Sequence, residues 1–202
     1  PEFERFRVLR VINEDRVAGG RGFGSHPHSD MEIISYVLEG GLEHRDSMGT
    51  GSVIRPGELQ RISAGSGIYH SEFNASPTEA VHFYQIWLLP REENIEPSYE
   101  QKAFSGEGSE GRLRLVASTD GADGSLTIHQ DVRMHLADLS AGQAIDHSFG
   151  DDRYGWLQVV RGNLSLNGER VETSDGAAIS QESEIRIESL EDQSQVMLFD
   201  LP

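Results

Sequence analysis

Apolar and polar residues alternate along most of this chain with a period of two. That spacing puts one set of side chains on each face of a β-strand. Phe6-Arg7-Val8-Leu9-Arg10-Val11-Ile12 is one such run, and residues 31–38 and 81–89 are two more, enriched in β-branched and aromatic types. Between them Gly40-Gly41, Gly49-Thr50-Gly51, Pro56-Gly57 and Gly65-Ser66-Gly67 recur at the close spacing of turns in a sandwich or barrel. Further strands are predicted at 113–117, 125–129, 134–139, 156–161, 185–188 and 195–199. Asn167-Gly168 is a strong two-residue hairpin signal. No useful length of helical period appears, apart from a short turn near 98–104. Residues 90–112 are polar and acidic, with the Gly-rich stretch 105–111, and read as a linker. The pattern predicts an all-β chain with two similar-sized domains in tandem, residues 1–100 and 101–202.

Composition narrows the chemistry more than the fold. With 202 residues there is ample chain for a hydrophobic core. Cysteine is absent, so disulfides, thiolate nucleophiles and iron–sulfur clusters are excluded, and a metal must be held by His, Asp and Glu. The 34 acidic residues outnumber the 17 basic ones, and Lys102 is the only lysine. A net charge of -17 repels phosphate backbones, which argues against direct nucleic-acid binding. No apolar run approaches the roughly 20 residues of a membrane helix, and no signal peptide is visible. A cytoplasmic location is expected. The chain opens on Pro1 rather than Met, and a further N-terminal segment is expected.

The eight histidines are unevenly placed. His26-Pro27-His28 follows Gly22-Phe23-Gly24, and His70-Ser71-Glu72 follows Gly65-Ser66-Gly67-Ile68-Tyr69. On a strand, positions i and i+2 share a face about 6.6–6.8 Å apart. Two such pairs on facing strands can converge three imidazoles and a carboxylate, a set suited to Fe, Ni, Co, Cu, Mn or Zn. The competing reading is that these are solvated turn histidines.

The residues around both pairs carry a resemblance. Gly22-Phe23-Gly24-Ser25-His26-Pro27-His28-Ser29-Asp30-Met31-Glu32 resembles the first metal motif of the pirin family, a branch of the cupin superfamily. Glu43-His44-Arg45-Asp46-Ser47-Met48-Gly49 and Pro56-Gly57-Glu58 continue it. Gln60, Ser63-Ala64-Gly65-Ser66-Gly67-Ile68 and His70-Ser71-Glu72 resemble the second motif. Tyr84-Gln85-Ile86-Trp87 and the ending Leu198-Phe199-Asp200-Leu201-Pro202 also match, so the likeness covers nearly the whole chain. It is strongest to bacterial pirin-like proteins with quercetin 2,3-dioxygenase activity.

The resemblance implies a bicupin: two antiparallel, jelly-roll-like β-barrels in tandem. It implies that His26, His28, His70 and Glu72 bind one divalent metal, most often Fe(II), in the N-terminal barrel, with Glu72 also the catalytic base. Ni, Co, Cu, Mn and Zn suit the same donors. The implied substrates are dioxygen and a flavonol such as quercetin, whose central ring is opened with release of carbon monoxide. The family also allows a rival role: a metal- and redox-sensing regulatory protein acting through protein partners.

Local pattern alone speaks to the remaining residues. His147 lacks a partner at i+2, and His129 and His135 are six apart, so the second half is expected to hold no metal. Glu32, four residues after His28, is expected to be structural rather than a ligand. His44 and Asp46 read either as a pair beside the metal or as a hairpin-stabilising contact. His82 reads as a packed core residue. Phe23, Phe83 and Trp87 read as either an apolar pocket or core. The acidic stretches at 92–93 and 105–111 read as solvated surface.

Overall fold

The computed structural model describes residues 5–104 and 109–202. Two compact units emerge among the described residues: 5–104 with 126–130, and 109–125 with 131–202. Among the described residues there is no α-helix, and one 3₁₀ turn covers Ala122–Gly124. No helix is long and apolar enough to cross a membrane.

The first unit contains β1 (Leu9–Val17), β2 (Gly22–His28), β3 (Glu32–Glu39), β4 (Leu42–Asp46), β5 (Gly51–Ile54), β6 (Glu58–Ser63), β7 (Ile68–Asn74), β8 (Val81–Leu88) and β9 (Ser98–Ala103). A short β11 (Leu126–Thr127) follows β10 (Arg114–Ser118) of the second unit. The remaining strands are β12 (Arg133–Leu139), β13 (Ala144–Ser148), β14 (Tyr154–Arg161), β15 (Asn163–Leu166), β16 (Glu169–Glu172), β17 (Gly176–Ile179), β18 (Glu184–Ser189) and β19 (Ser194–Leu201). The first unit forms sheets β1-β8-β3-β6-β9 and β2-β7-β4-β5; the second contains β10-β12-β19-β14-β17 and β13-β18-β15-β16.

The inner faces of the first unit's sheets carry two apolar clusters. One joins Ile33, Ile62 and Ala64 to Ile68 of β7, with Trp87 and Tyr99 against it. The other joins Val37, Val81 and Phe83 to Leu42 and Ile54. Between them runs a polar row: Gln60 of β6 opposes Ser35 of β3, which opposes Gln85 of β8. Ser35 and Gln60 are fully buried. Buried polar groups need partners, and this row faces the one buried carboxylate of β7, described below.

The structure revises several local expectations. Residues 98–104 do not form a turn; β9 is a strand paired with β6 from Glu58↔Ala103 to Ser63↔Ser98. Its side chains are polar, so its apolar alternation is weak, but backbone pairing with a buried neighbour holds it extended. The linker read at 90–112 therefore contains a strand, and residues 105–108 of it lie outside the described residues. The first strand begins at Leu9 rather than Phe6, because Arg7 sits at φ 56 in a turn closed by Phe6–Leu9 backbone hydrogen bonds. The strand expected at 125–129 shrinks to two residues. The Asn167-Gly168 hairpin forms between β15 and β16, with both turn residues at positive φ (51 and 91), as a type I′ turn needs.

Candidate metal centre

His26 opposes His70 directly across the β2–β7 ladder. A bulge between Phe23 and His26 shifts the register, so that His26 and His28 share the inner face with His70. The bulge also places the Gly24 carbonyl 2.8 Å from His26 Nδ1. A carbonyl only accepts, so His26 Nδ1 carries the proton and Nε2 presents a lone pair. That lone pair faces His70 Nε2 at 3.0 Å. Two ligand atoms about 2.1 Å from one ion and at right angles to it are about 3.0 Å apart, so the spacing fits two neighbouring positions on a metal. The His28 ring lies 4.7 Å from that of His26 and 4.9 Å from that of His70, centre to centre, and packs edge-on against Trp87. The donor atoms of His26, His28 and His70 all lie within 4.8 Å of one another.

Glu72 follows His70 on the same face and is 1% exposed. Gln85 Nε2 donates to its Oε2 at 2.7 Å; Ser35 Oγ and Gln60 Nε2 stand at 3.3 and 3.4 Å from Oε1. The polar row of the other sheet thus ends on this carboxylate. Burial pushes the Glu72 carboxyl above its ordinary range, opposed by nearby His44 and by those three donors. Burial and the neighbouring His26, His28 and His44 push His70 down to about 3. Burial and His26 also lower His28. Neutral imidazoles at neutral pH are the form that binds a metal.

A second set of donor atoms within 4.8 Å comprises His44, His70 and Glu72, all buried. Sequence reading did not give His44 this place. It follows from the β4–β7 register, which sets His44 opposite Glu72 and Asp46 opposite His70. His44 Nε2 lies 2.9 Å from Asp46 Oδ2, and its ring stacks on Tyr99. Asp46 Oδ1 accepts the amides of Met48 and Thr50, so Asp46 pairs with the histidine and closes the hairpin at once. Burial raises the Asp46 carboxyl, but His44 and those amides outweigh it and hold it below the usual range. A surface cavity of about 280 Å³, lined by Arg45, Asp46 and Tyr69 among others, reaches the centre at His70.

The other weighed residues stand apart from both sets. Glu32 accepts Ser63 Oγ at 2.9 Å and the His129 amide at 3.1 Å, the structural role expected of it. His82 is 6% exposed and lies 2.8 Å from Glu14 Oε1, a partnered core residue. Phe83 is core; Phe23 is 41% exposed, so the two do not line one apolar pocket.

In the second unit the fold brings His135 and His147 to 5.7 Å between rings, although they are distant in sequence. His147 Nε2 stands 3.4 Å from Asp200 Oδ2, whose other oxygen takes the Arg153 guanidinium at 2.6 Å. No three-donor set forms there among the described residues. Burial and His147 push His135 down to about 4. The unfolded chain, titrating near 6.5, then binds the proton first, so stability present above pH 6.5 is lost as pH falls toward 4. His135→Gln is expected to flatten that fall by about 2 kcal/mol, after allowing for partial exposure. Urea unfolding at pH 7 and 4.5 measures it, and parallel slopes in wild type and variant would contradict it.

Comparison with known proteins bears on the whole chain. The pirin family model matches residues 2–88, and the quercetinase C-terminal cupin domain matches 115–201. A protein of Escherichia coli (strain K12) named quercetin 2,3-dioxygenase is 49% identical over 202 residues, all of this chain and 86% of its own length. The chain belongs to the pirin family. It has the cupin-type pirin fold with two domains, nearly all β. The crystal structure of the bacterial pirin YhhW of Escherichia coli in complex with nickel(II) is similar to it with a TM-score of 0.94 and 48% identity, covering all of this chain and 86% of that one. A pirin-like protein of Caulobacter vibrioides is 40% identical over 200 residues, 98% of this chain and 85% of its own length. The imidazole and carboxylate donors assembled in this pirin suit a divalent metal ion.

Proposed function

We propose that this pirin is a metal-dependent dioxygenase acting on a flavonol such as quercetin or a related enolic compound. The observation that carries it is the grouping of three histidine donors, one of which, His70, also groups with the buried Glu72 carboxylate two residues on, in a chain whose close relative is named quercetin 2,3-dioxygenase. In this reading the metal-binding half spans residues 1–100, its two sheets walling a cupin barrel. The half from 101 to 202 is a second barrel without a metal set. The protein is cytoplasmic.

His26, His28, His70 and Glu72 are the residues that hold the ion, with Fe(II) the expected occupant. A divalent ion at such a site lowers the pKa of a bound hydroxyl and steadies the resulting anion. The rest falls to the chain. Glu72, raised by burial and aimed by Gln85, Ser35 and Gln60, accepts the proton of the flavonol 3-hydroxyl. His26, with Nδ1 tied to the Gly24 carbonyl, orients rather than transfers protons. The apolar clusters on either side of the polar row keep water from the reactive anion. Dioxygen then adds to the electron-rich flavonolate, the central ring opens, and carbon monoxide leaves.

The test is aerobic incubation with quercetin after reconstitution with Fe, Co, Ni, Cu or Mn in turn. Quercetin loss with equimolar carbon monoxide is expected for at least one metal. No turnover with any of them sinks the enzyme reading. A partner protein captured in one metal oxidation state only would then favour the regulatory role.

A further inference from the structure

We propose that Trp87 is a positioning residue of the centre: its indole N–H locks the Gln85 amide as a donor to Glu72 Oε2, which leaves Oε1 as the working oxygen of that carboxylate. The lock is a property of the chain alone. Its consequence for proton transfer rests on the dioxygenase reading above.

Trp87 and Gln85 are alternate residues of β8, paired across to Ile33 and Ser35 of β3. Trp87 Nε1 donates to Gln85 Oε1 at 3.2 Å, and Gln85 Nε2 donates to Glu72 Oε2 at 2.7 Å. This chain of bonds runs in one direction only. An indole N–H donates and never accepts. With its oxygen taken by that donor, the Gln85 amide has one orientation that satisfies both ends. A flip would set its NH₂ against the indole N–H and its oxygen against the carboxylate, two mismatches at once.

Gln60 supplies the contrast. Its Nε2 stands 3.4 Å from Glu72 Oε1, but its own Oε1 is buried and has no hydrogen-bond partner among the described residues. No donor holds that amide from behind, so it can turn and offer oxygen in place of nitrogen. Ser35 Oγ, 3.3 Å from the same Glu72 oxygen, donates or accepts by rotation. The two oxygens of Glu72 are therefore unequal. Oε2 takes one short bond from a donor that cannot turn. Oε1 takes two long contacts from groups able to switch to accepting. On the dioxygenase reading, the flavonol proton is received at Oε1, where Ser35 and Gln60 can accommodate an O–H.

The same indole also meets His28 edge-on, 5.0 Å between ring centres at an interplanar angle of 80°. A test must therefore separate the N–H from the ring. Trp87→Phe removes the first and keeps an aromatic against His28.

The first measurement is proton–nitrogen NMR of the whole chain without metal. The Gln85 amide is assigned by its loss in Gln85→Met, and the Trp87 indole by its loss in Trp87→Phe. In wild type the short bond to the carboxylate is expected to displace one Gln85 amide proton downfield. Trp87→Phe is expected to move and broaden that resonance, and Gln85→Met to shift the Trp87 indole proton upfield. A Gln85 resonance left unmoved by Trp87→Phe overturns the lock. If that variant does not fold by circular dichroism, the indole proton in Gln85→Met decides, and an unshifted one overturns it. The second measurement is kinetic, on protein of known metal content. Trp87→Phe is expected to lower kcat for quercetin about tenfold, the worth of one hydrogen bond, with KM changed less than about twofold. On the Gln85→Met background the same substitution is expected to cost less than about twofold, because the lock is already gone. Equal losses on both backgrounds would show that packing against His28 is the whole effect and would overturn the positioning role. The NMR measurement contains neither metal nor quercetin, so failure of the lock is distinct from failure of the dioxygenase reading.

Discussion

Replacing His70 by alanine is expected to strip the protein of bound metal, from about one ion per chain to less than a tenth of that. His70 is the one side chain common to both donor sets, and it is 2% exposed, so its loss removes a buried ligand from each. Substitution of groups that merely orient a metal ligand costs 10- to 100-fold in affinity; loss of the ligand itself is expected to exceed about 100-fold. The apo fold should tolerate the change. A histidine pushed down to about 3 by burial is uncharged near neutral pH, so its removal there takes no buried charge out of the fold. The readout is elemental analysis beside thermal melts with and without added metal. Wild type is stabilised by about 4 kcal/mol when free metal stands 1,000-fold above its dissociation constant; His70→Ala is not. A variant that keeps a full equivalent of metal would remove the centre from its assigned place.

Glu72→Gln is expected to lower kcat for quercetin by about 10²- to 10⁴-fold, the usual worth of a positioned proton acceptor. The substitution preserves shape and removes the charge. Its consequences for the fold follow from the partners. Gln85, Gln60 and Ser35 all present donors to this carboxylate. An amide keeps one acceptor and turns an NH₂ against at least one of those donors, leaving a buried mismatch of about 1–3 kcal/mol. Loss of the buried charge offsets part of it. Metal occupancy is expected to fall less than in His70→Ala, because three histidines remain. Steady-state kinetics on protein of measured metal content separates the effects; a kcat per bound metal within tenfold of wild type would show that Glu72 is not the base.

Much of the strand-face pairing at this centre is legible in the sequence. The pairs His26/His28 and His70/Glu72 declare a shared face through i, i+2 spacing, and glycine turns bracket each. The assignment of His82 to the core and of Glu32 to a structural role also follows from local pattern, and both hold. Less legible was β9, where Tyr99, Gln101 and Ser98 read as polar connection. Their extended form comes from pairing with β6, which is a property of the neighbour. Phe23 carries an apolar side chain in a strand context yet stays 41% exposed, since hydrophobicity alone does not say which face a bulged strand presents.

By itself the sequence determined the all-β character, the absence of thiol chemistry, and the four residues that share strand faces, because pleating makes side-chain direction a strictly local property of period two. Only the tertiary structure decided which strands became neighbours, and in which register. That choice set His26 against His70 across a bulge and His44 against Glu72, and it lined up Ser35, Gln60 and Gln85 behind the carboxylate. Register between strands distant in sequence is a balance over the apolar faces they bury together, and a one-residue slip would invert every one of these contacts.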